Sequence, residues 1–154
     1  MCDRYEDVIL IEAAKYGNLE TVERLLKRGA DVHTQDNRAL RESSDSGFTE
    51  IVKVLLKAGA HVNADGGYAL FIASAHNDIE LLMVLLDAGA DVHARNDCAL
   101  RWASENGHTE VVKVLLDAGA DVHAQDDHAL RYASQSGHTE VVKVLKEWME
   151  KPPK

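Results

Sequence analysis

Histidine returns at one position of a thirty-residue register, as His33, His93 and His123, with Asn63 in the remaining place. Neutral imidazole is the commonest metal ligand, so the pattern raises the question of a zinc site. Zinc holds each nitrogen at about 2.0–2.1 Å, and packed helical units lie roughly 8–10 Å apart. Two such histidines would have to lean together, and no cysteine or second histidine stands beside any of them at ligand spacing. The spacing therefore predicts hydrogen bonding rather than metal. Ser44, Ser74, Ser104 and Ser134 recur in the same way. A nucleophile is needed once, in an irregular loop with a base beside it; a serine every thirty residues is a packing position. No glycine-rich phosphate loop follows a strand, and no clustered carboxylate pair breaks the register. The residues predict no enzyme, no metal and no cofactor.

What positions these side chains is a repeated unit. Ala99 to Val112, ALRWASENGHTEVV, returns thirty residues later as ALRYASQSGHTEVV. Gly-Ala falls at 29–30, 59–60, 89–90 and 119–120, and Ala-Leu at 39–40, 69–70, 99–100 and 129–130. Ile9-Leu10 and Gly17 extend the pattern backwards into a divergent first copy. The units are about 7–30, 31–60, 61–90, 91–120 and 121–151, in a single domain covering 1–154.

Each unit reads as two short helices and a finger. In the fourth, Asp97 is expected to cap a helix over about Cys98–Glu105. Gly107 stops it by taking the left-handed conformation. A second helix follows over about Thr109–Ala118, with Val111, Val112, Val114, Leu115 and Leu116 on one stripe. Asp121 to Asp126 is expected to form an extended connection onward. One such hairpin is too short and one-sided to stand alone, so the units stack. The fold class is all-α, a solenoid of five stacked helix-turn-helix units with short extended fingers.

The ends suit such a stack. Apolar residues at 51 and 54, 81 and 84, and 111 and 114 become Thr21 and Arg24 in the first unit. Leu56, Leu86 and Leu116 give way to Lys146, with Glu147, Glu150 and Lys151 following. Polar outer surfaces are what terminal caps require, and the expectation is a complete array.

Composition limits the partners. Twenty-six acidic residues against 17 basic ones give a net charge of −9, which argues against nucleic acid or an anionic membrane. Cys2 and Cys98 are too few for a disulfide framework and point to a reducing compartment. The acidic N-terminus lacks the form of a signal peptide, and no apolar run reaches the length of a membrane span. A cytoplasmic, soluble monomer is expected.

Gly107 to Ala124, GHTEVVKVLLDAGADVHA, resembles the second half of an ankyrin repeat, and the resemblance extends over about residues 7–149. It implies a stack of helix pairs whose concave side and finger tips bind other proteins, and it gives His108 and His138 the role of tying the turn between helices. The family's usual period is about 33, with Thr-Pro-Leu-His opening the first helix. Here the openings read Arg38-Ala-Leu-Arg41, Tyr68-Ala-Leu-Phe71, Cys98-Ala-Leu-Arg101 and His128-Ala-Leu-Arg131. Proline and histidine are both missing, so Arg41, Arg101 and Arg131 are expected to bridge to acids of adjacent units. This shortened form resembles the ankyrin arrays of giant DNA viruses. Asn63 resembles the finger residue that an asparaginyl hydroxylase modifies in ankyrin proteins, and is a candidate for that modification.

Positions that vary between units are free to serve a partner. The third unit departs furthest, with Tyr68, Phe71, Ile72, His76, Asn77 and Met83. With Trp102 and Tyr132 these suggest an aromatic centre ringed by Arg41, Arg101, Arg131 and acids. The set Arg38, Arg41, Tyr68, Phe71, Ile72, His76, Arg101, Trp102, Arg131 and Tyr132 is the expected surface for an unidentified protein partner. The alternative is a passive structural or engineered scaffold, in which the large apolar residues are buried between units.

Overall fold

The computed structural model describes residues 4–152. Cys2 and the first residues of the N-terminal segment lie outside the described residues. Five helix pairs follow one another: α1 (Tyr5–Lys15) with α2 (Leu19–Lys27), α3 (Thr34–Asp45) with α4 (Thr49–Lys57), α5 (Ala64–Ala75) with α6 (Ile79–Asp87), α7 (Ala94–Glu105) with α8 (Thr109–Asp117), and α9 (Ala124–Gln135) with α10 (Thr139–Met149). Among the described residues there is no strand. The odd-numbered helices pack in one series and the even-numbered helices in another.

Leucine sets the core of both series. Leu10, Leu40, Leu70 and Leu100 on the first helices are each 1% exposed, and Leu55, Leu85, Leu115 and Leu145 on the second are fully buried. Small residues behind them let the first helices approach. Ser44, Ser74 and Ser134 turn their hydroxyls onto the carbonyls of Leu40, Leu70 and Leu130, four residues back, at 2.7–2.8 Å. These hydroxyls are committed to their own backbone.

The first helices stop at a left-handed residue, Gly17, Gly47, Asn77, Gly107 or Gly137. Gly107 has φ +76°, and the His108 N–H reaches back to the Ala103 carbonyl at 2.9 Å, closing a Schellman-type end. A Cβ on Gly107 would lie 2.6 Å from the His138 ring, so packing with the next unit demands glycine as well.

The fingers differ from the extended connection that the sequence predicts. Each turns through three successive residues at positive φ: Gln35–Asn37, Asp65–Gly67, Arg95–Asp97 and Gln125–Asp127, with φ between +51° and +78°. A backbone bond closes each turn, from Asn37 N–H to the His33 carbonyl at 3.1 Å and its equivalents at 3.2–3.3 Å. The reason is length. With thirty residues per unit the chain must reverse within one tight turn, and a left-handed turn is the shortest way back. Asn, Asp and Gly tolerate this region best; for other residues it costs roughly 1–2 kcal/mol each. Asp97 consequently does not cap a helix beginning at Cys98. It is itself part of the left-handed turn, buried, and bonded elsewhere.

Thr21 is half-buried and Arg24 exposed on α2, while Lys146, Glu147 and Glu150 are exposed at the other end. Trp148 is less polar than that end's sequence pattern suggests. It packs against the core while the Lys151 ammonium sits 3.7 Å over its ring centroid.

Candidate functional site

Most of the variable positions fall on the first helices, while Met83 lies exposed on α6. At the N-terminal half of the first-helix face lies an open, polar cleft of about 480 Å³ lined by Gln35, Arg38, Arg41, Glu42, Asp45 and Tyr68. Arg38 pairs with Glu42 one turn on at 3.0 Å and donates to the Gln35 side chain at 2.9 Å. Arg41 bridges to Asp65 of the next unit at 3.0 Å and donates to the Gln35 carbonyl at 3.3 Å. The Tyr68 hydroxyl faces the Asp45 carboxylate at 3.5 Å. Burial, then the Asp45 charge, pushes the Tyr68 phenol above its usual range, so it stays a neutral donor.

Beside the cleft the face becomes aromatic. Tyr68 lies 6.4 Å from Phe71, and Phe71 meets Trp102 edge-on, with centroids 5.6 Å apart at 77°. Such a pair is worth about 0.5–1.5 kcal/mol beyond its buried area. Trp102 remains 44% exposed. Tyr132, 37% exposed, stacks flat on His128 at 4.0 Å and 12°.

The structure removes one residue from the expected surface. Ile72 is 7% exposed, too little to offer a partner contact. His76 stands exposed at the end of α5, and no ring contact joins it to the aromatic run among the described residues. The arginines also divide. Arg41 bridges to an adjacent unit's acid, as expected; Arg101 and Arg131 do not. Arg101 gives its guanidinium to the carbonyls of Asn96 at 3.0 Å and Arg95 at 3.1 Å, and Arg131 to that of Gln125 at 3.5 Å. Both are held by carbonyls of the left-handed turn five or six residues before them, and Gln125 stands opposite Arg101 where Asp65 stands opposite Arg41. Phe71 cannot supply a donor, and Arg95 of the next finger caps Asp65 instead, at 2.6 Å.

The fingers are joined by a ladder of side-chain to backbone bonds. Asp7 accepts from Asp31 N–H at 2.7 Å, Asn37 from His61 N–H at 2.8 Å, and Asp97 from Asp121 N–H at 2.7 Å. The Asp31 N–H and the neighbouring Arg4 hold the Asp7 carboxyl below its usual range. The finger histidines orient these acceptors, with Nδ1 of His33, His93 and His123 at 2.7–3.2 Å from Asn37, Asp97 and Asp127. No group of three metal-ligating side chains comes together among the described residues.

A family model described as Ankyrin repeats (3 copies) matches residues 10–96 and again residues 70–152. The chain belongs to the ankyrin repeat family. A search of curated proteins finds no match to it. Ankyrin repeats are in general protein–protein interaction modules and typically non-catalytic.

Against that family the thirty-residue form has its own solutions. His108 and His138 do not tie their own turns, as the resemblance implies. Their Nε2 atoms reach the carbonyls of Ala75 and Glu105 in the preceding ankyrin unit, at 3.1 and 2.9 Å. Phe48 takes this place in the second unit, its ring against Gly17, where a Cβ would lie 2.8 Å away. Sequence reasoning left Gln35, Glu42, Asp45 and Asp65 out of the site, although Arg38 and Glu42 stand four apart and are legible as a helical pair. Asp65 carried no local signal, since it meets Arg41 across 24 residues.

Proposed function

We propose that this ankyrin chain is a non-catalytic module that holds a protein partner on its first-helix face, the side that the family presents as concave, and at its finger tips. It acts as a cytoplasmic monomer. The observation that carries the reading is Trp102, which stays accessible at the edge of the half-buried Phe71 instead of being buried between units. What distinguishes Trp102, 44% exposed, from other exposed apolar residues is its grouping with a second aromatic ring, Phe71. Arg38, Arg41, Tyr68, Phe71, Arg101, Trp102, Arg131 and Tyr132 make the contact surface, with His76 at its margin. Anchors of this kind, aromatic and arginine, concentrate binding energy in protein interfaces.

The test is affinity capture from a cell lysate, beside a variant carrying Tyr68→Ala, Phe71→Ala and Trp102→Ala whose helicity is checked by circular dichroism. A protein retained by the parent and lost from the folded variant is the expected result. Specific proteins held equally by both would move the site off this face. Nothing specific on either would return the chain to the passive-scaffold reading.

A further inference from the structure

We infer that the C-terminal half of the first-helix face, around Arg101, Trp102, Arg131 and Tyr132, docks a peptide segment carrying an acidic side chain beside a bulky apolar one. The inference rests on the protein-binding reading above and narrows its partner.

Arg41 and Arg101 occupy the same place in their units, and the residue 24 positions on decides their fates. For Arg41 it is Asp65, and the two charges meet at 3.0 Å. For Arg101 it is Gln125, which carries no charge. Arg101 is left with the two neutral carbonyls of Asn96 and Arg95, and Arg131 with that of Gln125. Neither arginine forms an ion pair among the described residues. In a chain of net charge −9 these two recur in successive units without an ion-pair partner.

Their chain neighbours are Trp102 and Tyr132, both accessible. Cation and aromatic surface therefore alternate along the face. Glu105 is the acid of this part of it, and its side chain makes no ion pair among the described residues. His128, stacked on Tyr132, lies within reach of both arginines: burial first, then Arg101, hold its imidazole toward the neutral form, with Glu105 opposing and Arg131 adding to the effect. The N-terminal half differs in kind. There Arg38 and Arg41 are matched by Glu42 and Asp65, and Glu12 and Asp45 stand exposed. Complementarity thus directs an acidic ligand to the fourth and fifth units.

Peptide is favoured over nucleic acid by what surrounds the arginines. Asp121 and Asp126 are exposed on the adjoining fingers, with Asp127 half-buried beside them. A continuous phosphate chain would run against them, whereas a peptide can place one carboxylate between Arg101 and Arg131 and seat an apolar side chain on the rings.

The experiment selects random linear peptides displayed on phage against the full chain, then measures synthetic copies of the enriched peptides by fluorescence anisotropy. The expected result is a shared Asp or Glu next to an aromatic or large aliphatic residue. Affinity should fall at least about tenfold in Gln125→Asp, which recreates the Arg41–Asp65 bridge and neutralises Arg101, and in the pair Arg101→Gln, Arg131→Gln. Gln125 already sits at φ +55°, a conformation that Asp tolerates well, so this variant should keep its fold, as thermal melting will verify. Lys113→Gln on α8 removes an equal charge elsewhere and should change nothing.

Enriched peptides without an acid, or binding insensitive to Gln125→Asp, would overturn the inference. If that binding is still lost in the Tyr68, Phe71 and Trp102 alanine variant, the protein-binding reading survives. Absence of any selected peptide, together with nothing specific captured from lysate, would overturn both. Tighter binding of an oligo-dT probe, weakened by the same variants, would replace the peptide by a polyphosphate ligand.

Discussion

The side-chain oxygen of Asn63 accepts the backbone N–H of Asp91 at 2.7 Å, a bond its neighbours make from a position four residues later. In the second and fourth units the acceptor is Asn37 or Asp97. The third unit has Gly67 there, with no side chain to offer, and its backbone lies so close to the next finger that a Cβ would come within 2.8 Å of Ala94 Cβ. Asn63 stands where the others carry histidine, and its amide does the work of both, donating also to the Gly89 carbonyl at 3.2 Å. Asn63 joins two units.

Asn63→Ala should therefore loosen the joint between the third and fourth fingers. Two partly exposed hydrogen bonds of this kind are worth about 1 kcal/mol net. A loss of that size lowers the melting temperature of a domain this large by about 2–4 °C. His93→Ala, whose own partner Asp97 keeps its bond to Asp121, should cost less. Equal losses in the two variants would contradict the ladder.

Hydroxylation of Asn63 is testable on the same residue. Incubation with an asparaginyl hydroxylase should add one oxygen to the peptide spanning 57–87, read by mass spectrometry. Because both ends of the amide are engaged, modification should proceed faster in a variant with a weakened fourth unit, such as Leu100→Ala. An unchanged mass in both disposes of the idea.

Stability should respond to acid through His128. Its folded-state pKa is lowered by burial and then by Arg101 and Arg131, against an opposing pull from Glu105, so the native state prefers the neutral ring. The contribution of that ring is present above the unfolded value near 6.5 and is lost as pH falls through the folded value. Denaturant midpoints taken at neutral pH and at successively lower pH should fall more steeply in the parent than in His128→Gln. Parallel slopes would show that the ring is not held neutral.

Core and face should separate cleanly in two tryptophan-helix variants. Leu100→Ala, at 1% exposure, should cost about 2–5 kcal/mol. Trp102→Ala on the same helix should cost about 1–2 kcal/mol, mainly its edge contact with Phe71, yet weaken partner binding far more. Calorimetry and binding measured on both variants decide the matter; a Trp102 loss as large as that of Leu100 would make it a packing residue.

Removal of residues 91–120 should leave a folded, shorter array. Each unit touches only its neighbours, so stability is roughly a sum of unit and interface terms. Circular dichroism should show helix lost in proportion to the deletion. Loss of all helicity would contradict additive stacking.

The thirty-residue register, the helix pairs and the buried leucines were legible in the sequence because each depends on local signals: apolar period, and glycine where the backbone must turn left-handed. Gly107 and Leu100 could be placed from their own neighbourhoods. The fingers were not legible. Nothing in Arg95-Asn96-Asp97 announces three successive left-handed residues, since that conformation is imposed by the distance the chain must close between stacked units. The same holds for the arginines. Arg41 and Arg101 look identical in sequence, and only the neighbour brought in from 24 residues away, Asp65 or Gln125, makes one a neutralised bridge and the other a free cation. Tertiary structure likewise decided that Ile72 is buried while Trp102, at the same position of the next unit, stays in solvent. The larger indole reaches past the point where the isoleucine side chain ends and packs through its edge contact with Phe71.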